Sequence, residues 1–112
     1  KHKYKGKYNY CYCTKSSHFK HVLDEAISNE IHIETSSAVD IDIVENLKKA
    51  GKITDKTFIL CNGFKRDDYV KNRQRLIHNG HKNCLPIIDN YEEIDLLTNG
   101  IRKKINIGIR IA

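Results

Sequence analysis

The chain has 112 residues, 39% of them hydrophobic and 30% charged, with a formal net charge of +6, a balance that suits one small globular domain with its own core. It is well short of the roughly 250 residues of a complete (β/α)8 barrel, and no apolar run approaches the ~20 residues of a membrane-spanning helix. The positive excess gathers at the two ends, in Lys1, Lys3, Lys5 and Lys7 and in Arg102, Lys103 and Lys104, where solvated charge accounts for it better than a nucleic-acid partner.

Taken in order, residues 1–8 read as an irregular lysine- and tyrosine-rich lead-in. Residues 9–14 are aromatic and β-prone, a strand that runs into Lys15. Phe19, Val22, Leu23, Ala26 and Ile27 recur at helical spacing, with Ser16 or Ser17 as N-cap, and predict a helix over 17–29. Ile31 to Thr35 is a short strand that delivers Glu34 and Ser36 to its end. Ser37 with Asp40 is a variant capping box for a helix carrying Ile41, Val44 and Leu47 and closed by Gly51.

Thr57 to Cys61 is a continuous apolar strand, the pattern of a strand buried on both faces. It ends in the polar turn Cys61-Asn62-Gly63-Phe64-Lys65. A helix over 66–79 presents Tyr69, Val70, Leu76 and Ile77 and stops at Gly80. Cys84 to Ile88 is another buried strand, with Pro86 an obstacle to its hydrogen bonding, and it leads into Asp89-Asn90. Asn90 with Glu93 starts a short helix containing Ile94 and Leu97, ended by Gly100. The final stretch, 105–112, alternates strictly, with isoleucines on one face and Asn106, Gly108, Arg110 and Ala112 on the other.

Five strands separated by helix-length crossovers imply parallel, right-handed βαβ units. The polar face of the last strand suits a barrel lumen better than a second helical layer, so the expected fold is α/β, the first five strands of a (β/α)8 TIM-type barrel. Neither a G-x-G-x-x-G turn nor a P-loop is present. The four cysteines, Cys11, Cys13, Cys61 and Cys84, are expected as thiols: none forms a C-x-x-C, and the N-terminus lacks the apolar segment of a secretory signal. The expected compartment is the cytoplasm. The six histidines have no metal-ligand spacing, and no metal site is expected from the residues.

At the strand ends the pattern gathers Lys15, Glu34 with Ser36, Cys61 with Asn62, Asp89 and Arg110. A lysine held in a barrel mouth is poorly solvated, which frees its amine for attack on a carbonyl. An adjacent carboxylate such as Glu34 can orient groups or carry protons, and Arg110 can stabilise a phenolate or phosphate. The plainer readings are a capping carboxylate for Glu34, a turn former for Asn62 and a surface charge for Arg110.

These residues carry a resemblance. The series Tyr12-Cys13-Thr14-Lys15, then His21, then Glu34-Thr35-Ser36-Ser37 with Asp40, then Cys61 to Lys65, then Gly108-Ile109-Arg110 resembles the barrel domain of the biosynthetic arginine decarboxylases. Those enzymes belong to the pyridoxal-phosphate enzymes of the alanine racemase and ornithine decarboxylase fold type. Cys61 to Lys65 is the most branch-specific match. The family's asparagine two positions after the lysine is Ser17 here, and its later strands, with the glycine-rich phosphate loop, are absent.

The resemblance implies that Lys15 holds pyridoxal 5'-phosphate as a Schiff base, with Arg110 near its ring. It implies Ser36 and Asn62 as further cofactor contacts, Glu34 as catalytic, and His21, Asp40, Cys61 and Asp89 as active-site candidates. It implies decarboxylation of arginine to agmatine in polyamine synthesis, and magnesium as a second cofactor. The chain starts without a methionine and is expected to be a piece of a longer polypeptide, needing the remainder of its own chain or copies of itself to cover an open edge. The alternatives are another decarboxylase or a racemase of the same fold, or a non-catalytic anion-binding module.

Overall fold

The computed structural model describes residues 3–63 and 66–111. Phe64 and Lys65, the last two residues of the Cys61 to Lys65 motif, lie outside the described residues, as does Ala112. Five parallel strands, β1 (Cys11–Cys13), β2 (His32–Thr35), β3 (Ile59–Cys61), β4 (Cys84–Ile88) and β5 (Gly108–Ile109), form one sheet. The helices α1 (Lys20–Ser28), α2 (Ala38–Lys49), α3 (Asp67–His78) and α4 (Glu92–Gly100) are the crossovers between them.

The strand order β1-β2-β3-β4-β5 follows the chain without reversal. A doubly wound sheet turns back at a switch point, and none occurs among the described strands. Ile33, Ile59, Cys61, Cys84 and Ile88 share one buried cluster with Ile41, Val44 and Leu47 of α2, Tyr69, Leu76 and Ile77 of α3 and Leu97 of α4, while Ile27 of α1 packs against it. All four helices therefore cover the same face. On the other face the register sets Cys13, Glu34, Leu60 and Leu85 side by side, each half-buried.

Local chemistry explains the boundaries. The Ser37 side chain accepts from the Asp40 amide while Asp40 accepts from the Ser37 amide, the reciprocal box expected for α2. Gly51 and Gly80, just past α2 and α3, sit at φ +71° and +85°, where a side chain would be strained. Pro86 costs little because the β4–β5 ladder begins at Ile87. Ile88 accepts from Arg110 on the β5 side, so by alternation the amide that Pro86 lacks would also have faced β5, before pairing starts.

Three expectations need correction. Helix α1 begins at Lys20, and Phe19 at its N-cap is exposed and stacks on the His21 ring at 5.8 Å instead of joining the apolar stripe. Ser17 Oγ accepts from the Phe19 amide, a local turn that delays the helix. Glu93 accepts from the Asp89 amide rather than that of Asn90, so the box at α4 is only half formed. The last strand pairs over two residues, because its only neighbour among the described strands, β4, ends at Ile88.

Candidate functional site

In a parallel sheet every strand ends at the same edge, so Lys15, Glu34, Asn62, Asp89 and Arg110 are delivered there by β1 to β5 in turn. They meet as two pairs and a separate lysine. Asn62 Nδ2 donates to Glu34 Oε1 at 2.9 Å, a contact that orients the carboxylate across the end of β2 and β3. Arg110 Nε lies 3.9 Å from Asp89 Oδ1, both roughly half exposed, a loose pair that solvent weakens. Lys15 stands in a 3-10 turn, Thr14–Ser16, immediately after β1. Thr14, fully buried, ties that turn to β2 by donating to the Glu34 carbonyl at 3.1 Å.

Lys15 is exposed. The shielding expected of a lysine in a barrel mouth is not supplied by the described residues. The Glu34 charge does reach its neighbours on this face: burial, and then the Glu34 carboxylate, push the Cys11 thiol up.

The other candidates fall elsewhere. His21 is exposed on α1 beside Phe19. Cys61 is fully buried on the helix side of β3. Ser36 donates through both its amide and its hydroxyl to Asp40 Oδ2, at 2.8 and 3.1 Å. Asp40 is fully buried, and its second oxygen, Oδ1, lies 2.7 Å from Nε2 of His18. His18, which no sequence pattern singles out, thus rests against the start of α2, although Asp40 Oδ1 itself has no hydrogen-bond partner among the described residues. A lone histidine between a strand and a helix carries no periodic signal by which to find it.

Burial raises the Asp40 carboxyl, but bonds from Ser36, Thr14 and Ser37 outweigh it and hold it below the usual carboxylate range. The stability this contributes is present above the ordinary aspartate value and is lost as pH falls through the lowered native one. Asp40→Ala is expected to cost about 1–2 kcal/mol at neutral pH. The difference from the parent chain should shrink in urea titrations as the pH is taken below about 4, the ordinary range of aspartate.

Beside the Asp89–Arg110 pair, Ile88, Ile94, Leu97, Ile107 and Ile109 line an apolar groove of about 590 Å³. Ile107 and Ile109 are 49% and 73% exposed, so the helix face of β5 lacks the cover that β2, β3 and β4 have. Among the described residues no group of three His, Cys, Asp or Glu side chains is placed to hold a metal ion, and no helix is long and apolar enough to cross a membrane. Comparison of the chain with protein-family models, with curated proteins and with solved structures returned no match.

Proposed function

We propose that the chain is the first five strands of a (β/α)8 barrel from a pyridoxal-phosphate-dependent arginine decarboxylase, with Lys15 as the residue that holds the cofactor. The observation that carries this reading is the placing of one primary amine, an oriented carboxylate and a guanidinium at the carboxyl edge of a sheet whose strands follow chain order. Barrel enzymes build their sites at that edge, from the ends of several strands.

The residues fit the cofactor's needs in kind. Lys15 offers an exposed amine for its aldehyde. Glu34, held by Asn62, is a carboxylate at the same edge that can keep or pass a proton, and Arg110 offers a cation to an anionic oxygen or ring nitrogen. Ser36 is committed to Asp40, so it shapes the edge and its role toward the cofactor is indirect. When bound, pyridoxal phosphate supplies the electron-withdrawing ring that accepts the electron pair left by loss of the substrate α-carboxylate as carbon dioxide. The uncovered isoleucines of β5 support the remainder of the polypeptide as the partner, since β2, β3 and β4 each have the helix face covered by the crossovers on either side.

The test is turnover by the longest natural chain containing this segment, supplied with pyridoxal phosphate, magnesium and arginine. Release of agmatine and carbon dioxide is expected, falling about 10²-fold or more in Glu34→Gln, which keeps the bond from Asn62 in shape and removes the charge. Turnover of a different amino acid would reassign the substrate. Absence of any turnover, with steeply salt-dependent binding of nucleic acid, would favour the anion-binding module.

A further inference from the structure

Tyr69 and Arg73 are the two polar residues that α3 buries, beside Val70, Leu76 and Ile77. The side-chain nitrogens of Arg73 have no hydrogen-bond partner among the described residues. The Tyr69 hydroxyl, on a residue only 1% exposed, is bonded on two sides. It donates to the Thr35 carbonyl at 3.2 Å and accepts from the Gly63 amide at 3.2 Å, while the Thr35 hydroxyl lies 3.1 Å from the same oxygen. A phenylalanine would fill the same space without burying a hydroxyl, which costs free energy unless it is bonded. The hydroxyl, not the ring, is therefore what requires a reason.

The two segments it joins carry the Glu34–Asn62 pair, since Thr35 follows Glu34 and Gly63 follows Asn62. The ladder between β2 and β3 ends at Thr35 and Cys61, so Asn62 lies beyond it. A backbone bond crosses there directly, from the Asn62 amide to the Thr35 carbonyl at 3.0 Å, and about a single bond a turn can swing. The phenol adds a tie one residue further on, closing a ring of bonds through Thr35, Tyr69, Gly63 and Asn62. Thr35 is fully buried and meets Tyr69 on the helix side of β2, while alternation puts Glu34 on the other face. Tyr69 thus acts from behind the sheet, through the backbone.

We propose that Tyr69 is a positioning residue of the strand-end site: its hydroxyl fixes the end of β2 against the turn after β3, and so sets the 2.9 Å contact by which Asn62 orients the Glu34 carboxylate. The contact itself is a matter of structure alone. Its effect on turnover rests on the decarboxylase reading, in which a carboxylate displaced by about 1 Å loses much of its use.

The experiment combines Tyr69→Phe, which keeps every carbon of the ring in place, with Asn62→Ala, in the longest natural chain containing this segment. The first readout needs no activity. With isotope-labelled asparagine, the Asn62 side-chain amide signal in nuclear magnetic resonance is expected to move in Tyr69→Phe toward the position it takes in Glu34→Ala, where its acceptor is gone. The second is arginine turnover in a double-mutant cycle. Tyr69→Phe is expected to lower kcat about 10-fold, with KM changed less, but to lower it by less than about 2-fold in the Asn62→Ala background, where the contact it serves is already lost. A role in packing alone would give the same factor in both backgrounds. Equal factors, or an Asn62 signal that stays in place in Tyr69→Phe, would overturn the proposal. A parent chain without turnover, whose Asn62 signal still moves in Tyr69→Phe, would uphold the positioning and remove the decarboxylase reading, so the two fail separately.

Discussion

Replacing Gly63 by alanine is expected to cost about 2–4 kcal/mol, more than the same change at Gly108. A Cβ at this position would lie 2.5 Å from the Ser36 carbonyl carbon, 2.8 Å from its Cα and closer still to its oxygen. All three are backbone atoms, and none is at liberty to move. The Ser36 amide is fastened to Asp40, the Asn62 amide donates to the Thr35 carbonyl at 3.0 Å, and the Tyr69 hydroxyl bridges the two chain segments, accepting from the Gly63 amide at 3.2 Å and donating to the Thr35 carbonyl at 3.2 Å.

Relief therefore means parting the ends of β2 and β3, and with them Glu34 from Asn62. Gly108→Ala is the matched control. Its Cβ would meet only the terminal methyl of Ile87 at 2.5 Å, which can rotate away, so a cost below about 1 kcal/mol is expected. Urea unfolding midpoints of the two variants, at unchanged slope, check the contrast.

The second large effect is functional. On the proposed function, Lys15→Arg in the longest natural chain containing this segment keeps the positive charge but removes the primary amine, and is expected to lower arginine turnover by about 10³-fold or more. Its stability should stay within about 0.5 kcal/mol of the parent, because Lys15 is exposed at the surface of the 3-10 turn. A guanidinium cannot stand in for the amine. Turnover close to that of the parent would show that Lys15 is a solvated surface charge and that the nucleophile lies elsewhere.

The elements with strong local signals are legible in the amino-acid sequence. The capping box of Ser37 and Asp40, the glycine stops at 51 and 80 and the strand at 84–88 all arise from short-range chemistry, and all are present in the fold. The parallel sheet follows from the length of the crossovers. What stays hidden depends on register or on exceptions to pattern. Glu34 is level with Leu60, two residues before Asn62, and no sequence rule says that these two side chains touch. Arg73 occupies a position that periodicity assigns to the core and polarity assigns to solvent, so neither rule singles it out. The eight alternating residues at the C-terminus promise a long strand, yet pairing needs a partner of equal reach, and β4 stops at Ile88.

The most direct test of the central reading is borohydride reduction of the full-length chain after incubation with pyridoxal phosphate, followed by peptide mapping. A single reduced adduct on Lys15, competed away by arginine, is the expected result. An adduct scattered over exposed lysines, or a single one on a lysine outside the strand-end cluster, would contradict it.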